Sequence, residues 1–268
     1  MNIRKMLWTF LYLFLIVDGI LLYQWVSVND TVVDPASAKN IQQEIRMDGI
    51  SFDSLDAHVP SGAYYSGEDG GSYLNKQKNQ ISDDWRVNVS GEKLRATPKE
   101  PVDLGDSMNS AKETLEKLVS DERNVISGED YVYDPELSSN DNQDGLRVIV
   151  FSQKIGQETF VSSRGQIQFS FDEYFNLKSY TQTYVTGIQL LSEVPAILSE
   201  RSAFFNAYQF NEIPNNSTLD WRKPGYATLM DVRGETIYIP VWTFSLTNAA
   251  GEKTMVRINA LNGSLIKN

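Results

Sequence analysis

The chain has 268 residues, of which 41% are hydrophobic and 22% are charged, and this balance is typical of a protein that folds around a packed core. Its net charge is −11; residues 1–28 hold Arg4, Lys5 and Asp18, so the remaining residues carry −12, which repels nucleic acid and anionic lipid surfaces. The absence of cysteine excludes disulfides, thiolate nucleophiles and zinc–thiolate sites, and in an exported protein it suits a bacterium.

The first predicted element is a transmembrane helix over residues 6–28. This run is apolar and long enough to cross the hydrocarbon core of a bilayer. Arg4 and Lys5 precede it, and no basic residue follows before Lys39, so the positive-inside rule places residues 1–5 in the cytoplasm and the rest outside the cell. A cleaved signal peptide is the competing interpretation, but its A-x-A pattern at residues 36–38 lies well past the apolar run. The expected location is therefore the cell membrane, with a single span.

Asp18 lies near the middle of this predicted span. Inserting an aspartate there costs about 2.5–3.5 kcal/mol, which the surrounding apolar residues offset. Helical spacing places Asp18 on one face, which we call the Asp18 face. The Asp18 face consists of Leu11, Phe14, Leu15, Asp18, Leu21, Leu22 and Trp25. Gly19 beside it permits close backbone approach, so one hypothesis is that this face contacts a partner's transmembrane helix. The other is that Asp18 is merely tolerated, protonated or hydrated in place.

The part outside the membrane is predicted to start with a stalk at residues 29–46, followed by a first α+β unit at 47–186. The start of this unit reads as irregular strands and loops, with a turn cluster at 66–72. A helix from Ser107 to Val119 has Ser107 as its N-cap. Strands follow, and the alternation of Ile167, Phe169 and Phe171 is typical of a half-buried antiparallel strand.

A second α+β unit is predicted at residues 187–268. Its helix is expected from Ser192 to Tyr208, with Ser192 as cap and Pro195 in the first turn. The strands that follow end in a pattern at 256–266 that matches the one at 168–178. The predicted fold is therefore α+β: a transmembrane helix followed by two tandem units, each a helix covering an antiparallel sheet.

The sequence contains few residues that could form a catalytic, metal-binding or phosphate-binding site. His58 is the only histidine, and a surface or loop position is the expected one. Residues 140–145 resemble the start of a calcium loop, but the first ligand would be Asn140 and the twelfth Phe151, where that loop needs Asp and Glu. The glycine cluster at 67–71 lacks the residues of a phosphate loop. We therefore expect no catalytic residue, no metal site and no cofactor.

One N-terminal and two C-terminal segments resemble the YycI (WalI) family of low-GC Gram-positive bacteria. Residues 16–24 are similar to the I-x-D-x-x-L-L-Y-Q pattern of that family's helix. The C-terminal segments 238–242 and 258–263 resemble the final hairpin of YycI and, more loosely, PepSY-type modules. The fold implied by this resemblance is PepSY/YycH-like.

The resemblance also implies a function. YycI proteins act with the membrane protein YycH to modulate the essential sensor histidine kinase YycG (WalK), whose two-component system controls cell-wall metabolism. Their transmembrane helices contact those of the kinase, and their extracellular domains pair with each other. The Asp18 face would then lie at the contact with the kinase or YycH. The family supplies no catalytic residue.

Two other classes stay open on the sequence alone. The chain could be an exported PepSY-type binding module or protease inhibitor, which would work without its anchor. It could also be a cell-wall enzyme in which two of the 35 carboxylates come together in a cleft.

Overall fold

The computed structural model describes residues 3–29, 35–139 and 145–266. The chain forms two compact units, Met1–Gly49 and Ile50–Asn268. The first unit holds helices α1 (Ile3–Asn29) and α2 (Pro35–Met47). In the described ranges, no helix was identified whose length and hydropathy suffice to cross a membrane. The membrane span at 6–28 therefore stays a prediction, as does the stalk at 29–46.

The second unit contains three further helices and fourteen strands among its described residues. The helices are α3 (Gly71–Gln77), α4 (Met108–Val119) and α5 (Glu200–Gln209). The strands are β1 (Gly62–Asp69), β2 (Trp85–Ser90), β3 (Lys93–Pro98), β4 (Val102–Asp103), β5 (Tyr131–Ser139), β6 (Arg147–Ile155), β7 (Glu158–Thr159), β8 (Gln166–Phe171), β9 (Asn176–Gln182), β10 (Val185–Val194), β11 (Ser217–Val232), β12 (Glu235–Asn248), β13 (Lys253–Asn259) and β14 (Leu265–Ile266).

These strands form two antiparallel sheets. Sheet I has the order β2-β3-β9-β8-β6-β5, with β4 beside β9 and β7 beside β6. Sheet II has the order β10-β1-β12-β13-β14, with β11 beside β12. The α+β class with antiparallel sheets is thus confirmed. Strand β1 lies in sheet II although its residues were assigned to the first predicted unit, and the division into tandem units at 47–186 and 187–268 stays a prediction.

Sheet I shows how local sequence builds the core. Ile167, Phe169 and Phe171 are all fully buried, whereas Gln168 between them is only half-buried, as the alternation predicted. Helix α4 covers this core with Ala111, Leu115 and Val119. The predicted cap is also confirmed, since the Ser107 hydroxyl accepts a hydrogen bond from the Ser110 N–H and closes a capping box.

Sheet II is organised around the long strand β12. The strand runs without interruption from Glu235 to Asn248, although it contains Pro240. Pro240 fits because it lies where the neighbour of β12 changes from β1, which pairs up to Tyr238, to β13, which pairs from Val241. A missing N–H costs no ladder hydrogen bond at that position.

The predicted helix from Ser192 to Tyr208 is wrong in its first half. Residues Val185–Val194 form strand β10, whose backbone pairs with β1, and this non-local pairing outweighs the local helix-start signal at Ser192. Helix α5 begins only at Glu200. Its cap is Ser199, whose hydroxyl accepts a hydrogen bond from the Ser202 N–H.

The predicted turn cluster at 66–72 is also wrong. Strand β1 continues to Asp69, and helix α3 begins at Gly71. The Asp69 carboxylate accepts a hydrogen bond from the Gly71 N–H at 2.7 Å. At Gly70 a Cβ would lie 2.3 Å from the Tyr184 carbonyl oxygen, so this glycine serves close packing rather than a loop.

Candidate functional site

The Asp18 face lies on α1, as its helical spacing predicted. Leu11, Phe14 and Leu22 are 46%, 57% and 65% exposed, and Asp18 between them is also exposed. Leu15 and Leu21 share this exposure. The side chain of Trp25 lies outside the described residues. The helix thus presents the Asp18 face unpaired within its own unit in the described range.

Exposure alone does not distinguish this face from the opposite one, because Leu13, Ile16 and Ile20 are exposed to a similar extent. What distinguishes it is chemistry: Asp18 is the only charged residue between Met6 and Val28. A Cβ built on Gly19 would meet no atom within 4 Å, so the backbone beside Asp18 is open to close approach. The Asp18 face can therefore combine apolar packing with one polar contact.

In the second unit, the most buried charge belongs to an ion pair between the two sheets. Lys223 of β11 donates to the Asp134 Oδ2 of β5 at 2.7 Å, and the Asp134 side chain is only 1% exposed. The Ser152 hydroxyl donates to the same oxygen at 2.7 Å, and the Leu137 N–H donates to the other. Lys223 also acts on a second carboxyl group, that of Glu158. Burial raises the pKa of Glu158, and the positive charge of Lys223 opposes that rise. Asp134 thus accepts hydrogen bonds from both sheets, and its bond to Lys223 joins sheet I to sheet II.

A second ionic contact fixes the hairpin between β11 and β12. Arg164 donates to the Asp231 Oδ1 at 3.1 Å and to the Thr236 hydroxyl at 2.6 Å, and lies 3.6 Å from the Glu92 Oε1. The hydrogen bonds from Thr236 and Arg164 lower the pKa of Asp231. The hairpin is therefore held in place although its residues Leu229, Met230 and Val232 are exposed.

The residues considered for catalysis or metal binding do not come together. The His58 side chain is exposed, and the backbone N–H of this residue donates a hydrogen bond to the Asp56 carboxylate at 2.8 Å. Over the described ranges, no group of three His, Cys, Asp or Glu side chains is placed to hold a metal ion. Residues 140–144 of the calcium-like loop lie outside the described residues.

Sequence reasoning missed one surface, the outer edge of β10. This strand ends sheet II, and within the described residues it pairs with β1 alone. Leu190 and Leu191 at its centre are 52% and 51% exposed. The signal was present as β-branched and apolar residues from Val185 to Val194, but the helix-start signal at Ser192 obscured it.

Comparisons with known proteins identify the family. The family model of the YycI protein matches residues 29–261. Among curated proteins, none matches the chain. Among solved structures, the chain is similar to the crystal structure of an uncharacterized protein from Eubacterium rectale ATCC 33656, at 10% identity and a TM-score of 0.48, over 82% of this chain and 89% of that chain. A similarity this low says nothing about function. YycI proteins are regulators of the YycG/WalK kinase system, and the family is not a known enzyme family. Because the family model covers well over half of the sequence, the chain belongs to the YycI family.

Proposed function

We propose that this chain is a membrane-anchored accessory regulator that acts with a YycH-like partner. Together they modulate the essential cell-wall sensor histidine kinase YycG (WalK) through transmembrane and extracellular contacts. The observation that carries the proposal is the YycI family match over residues 29–261. The apolar run at 6–28, with Arg4 and Lys5 before it, supports a single span with the N-terminus in the cytoplasm and the second unit outside the cell.

The proposed transmembrane contact is the Asp18 face. A carboxyl group in the bilayer is costly when it faces lipid, and the cost falls when it meets a polar group on another helix. Leu11, Phe14, Leu15, Leu21, Leu22 and Trp25 supply the apolar packing around that contact. Gly19 lets the partner's backbone come close. A contact of this kind gives the helix a preferred neighbour, which a purely apolar anchor lacks.

Such a contact can regulate a kinase by shifting a population. A kinase with two nearly balanced packings of its transmembrane helices changes its output when one packing binds α1 more tightly. Coupling free energies of about 1–3 kcal/mol are typical, and the loss of one buried polar contact is of that order. The extracellular pairing with the YycH-like partner would then set where α1 stands relative to the kinase.

The proposal is tested by site-directed crosslinking in membranes that contain the kinase and the YycH-like protein. Single cysteines are placed at Phe14, Leu15, Leu21 and Leu22, which is clean because the chain has no native cysteine. Matched controls are cysteines at Leu13, Ile16 and Ile20, which are equally exposed on the opposite face. We expect crosslinks to the kinase or the YycH-like protein from the Asp18 face only, and their loss in Asp18→Leu.

Two outcomes would contradict the proposal. Crosslinks of equal yield from both faces would mean a nonspecific neighbour. No crosslink from any position would make α1 a plain anchor. The alternative of an exported PepSY-type inhibitor module predicts activity of residues 50–268 without the anchor, which the same cells can report when that fragment is exported alone.

A further inference from the structure

The junction between the two sheets gathers three carboxyl groups around one ammonium group. The Lys223 Nζ of β11 lies 2.7 Å from the Asp134 Oδ2 and 4.0 Å from the Glu136 Oε2, both on β5. Glu158 of β7 is half-buried, and the charge of Lys223 acts on its carboxyl group. We call these four residues the Lys223 cluster. With every carboxyl group ionised, the cluster holds three negative charges against one positive charge.

Contacts of the neighbouring backbone hold Glu158 at this junction. Strand β7 belongs to sheet I, where Glu158 pairs with Ile155 of β6. The residues that follow it lie against β11 of sheet II. Phe160 forms a parallel bridge with Tyr226, and the Val161 N–H donates to the Tyr226 carbonyl oxygen at 3.0 Å. Glu158 therefore stays in the Lys223 cluster as long as these contacts between the sheets are closed.

We propose that Glu158 makes the junction between the two sheets sensitive to protons: its ionised form favours local opening of the junction, and its protonated form favours closure. An ionised carboxyl group at this position repels the two carboxylates of β5 and gives up part of its hydration, and both costs end when the junction opens to water. Protonation removes both costs and leaves Lys223 to the carboxylates of β5. Local openings of this kind occur without global unfolding, and their free energies differ across a structure. This proposal is separate from the transmembrane contact, because it involves neither α1 nor the kinase.

The other groups around Glu158 leave Lys223 as its counterion. On β11, the other titratable side chain near it is that of Tyr226, whose pKa burial raises to about 12, so this phenol stays neutral at physiological pH. Tyr65 of β1 packs edge-on against Tyr226. On β6, the Lys154 ammonium donates instead to a backbone carbonyl oxygen at 2.8 Å. Among the described residues of the strands packed against β7, Lys223 is thus the one cation that acts on Glu158, and it is shared with the carboxylates of β5.

Burial sets the direction of the response to protons. It raises the pKa of Glu158, and the charge of Lys223 opposes that rise only in part. The folded chain therefore binds a proton at Glu158 at a pH where the unfolded chain, with the ordinary glutamate pKa of about 4.3, does not. Stability from this group is thus gained as the pH falls from neutral towards the ordinary pKa. Asp121, Asp172 and Asp231 have lowered pKa values and respond in the opposite direction at lower pH.

The test measures hydrogen exchange of residues 156–164 in the full-length protein, in detergent micelles at pH 7, 6 and 5. Protection factors, which are corrected for the intrinsic effect of pH on exchange, report opening of the junction through the Val161 N–H. All proteins carry His58→Asn, because an ordinary histidine titrates in the same range. Glu158→Gln keeps the shape of the side chain but cannot ionise. The matched control is Glu122→Gln, which removes an exposed carboxyl group outside the Lys223 cluster.

We expect protection of this segment to rise several-fold from pH 7 to pH 5 in the parent protein and in Glu122→Gln. Glu158→Gln should already show the higher protection at pH 7 and should change little with pH. A parent protein whose protection stays constant or falls would overturn the proposal. So would a Glu158→Gln variant that keeps the rise, or one that is less protected than the parent protein at pH 7. Residues 167–171 in the core of sheet I are the internal reference, and an equal rise there would also overturn the proposal, because it would mean that the whole fold responds rather than the junction.

Discussion

Strands β5 and β10 are both edge strands, of sheet I and sheet II, but the fold treats them differently. β5 is interrupted by Pro135 and by a register shift after Asp134, and its carboxylate is tied to Lys223 on the other sheet. β10 has a half-exposed apolar centre and no such tie. The difference teaches that a polar edge strand can hold two sheets together, whereas β10, among the described residues, is held in its sheet by β1 alone.

The largest effect is expected from breaking the tie at β5. Lys223→Ala leaves the buried Asp134 carboxylate without its cation, which typically costs about 3–5 kcal/mol. The measurement is the free energy of unfolding in urea. The control is Arg123→Ala, whose ion pair with Asp121 is exposed to solvent and should therefore contribute little to stability. Equal costs for the two variants would mean that the tie between the sheets contributes nothing.

The next largest effect is expected in the hydrophobic core between α4 and sheet I. Leu115→Ala empties a fully buried position where α4 covers sheet I, and such truncations cost about 2–5 kcal/mol. The same truncation at the half-exposed Leu190 of β10 should cost less than about 1 kcal/mol, since its side chain has little packing to lose. Urea unfolding of both variants checks this. A large cost at Leu190 would mean that its side chain contributes more packing than its exposure indicates.

A smaller effect separates the strand at β10 from the helix that follows it. Ser199→Ala removes the N-cap of α5 and should cost about 1 kcal/mol of stability. Ser192→Ala, at the start that the sequence suggested, should cost almost nothing because Ser192 is an exposed strand residue. Thermal unfolding distinguishes the two. A larger cost for Ser192→Ala than for Ser199→Ala would mean that the helix begins at Ser192, as the sequence predicted, and that β10 is not an edge strand.

The smallest effect is a pH dependence at Asp172, beside strand β8 of sheet I. Burial disfavours the charge of Asp172, but hydrogen bonds from Lys178 and Asn176 outweigh it and lower its pKa to about 2. A lowered pKa contributes stability that is present above the ordinary pKa of about 4 and is lost as the pH falls towards 2. Asp172→Asn should remove this dependence, which is on the order of 1 kcal/mol at this partly exposed site. Identical slopes between pH 4 and pH 2 in both proteins would contradict it.

The sequence predicted those parts of the fold that depend on nearby residues. Helix α4 was found because its Ser107 cap and its apolar spacing lie within one segment, and the alternation from Ile167 to Phe171 revealed a half-buried strand. β10 was missed because its partner β1 lies far away in the sequence, as the pair Gly62 and Val194 shows. The ion pair between Asp134 and Lys223 joins residues 89 positions apart, and no local sequence pattern predicts such a contact.

The candidate functional surfaces also differ in whether the sequence could predict them. The Asp18 face could be predicted because a helix turns one residue pattern into one face, whatever surrounds it. The free edge of β10 could not, because whether a strand lies at an edge depends on the order of all strands in the sheet. Family membership was predicted from the segments at 16–24, 238–242 and 258–263, and it is confirmed by the family model over residues 29–261.

The central claim is that α1 regulates the kinase and does more than anchor the chain. It is tested most directly by replacing residues 6–28 with an unrelated apolar transmembrane helix of equal length and measuring a reporter of the kinase's target genes. The control restores the Asp18 face on that helix. The account predicts that the replacement abolishes regulation, although the protein still reaches the membrane, and that the restored face recovers it. Unchanged regulation by the unrelated helix would contradict the account and would leave the second unit as the sole regulator.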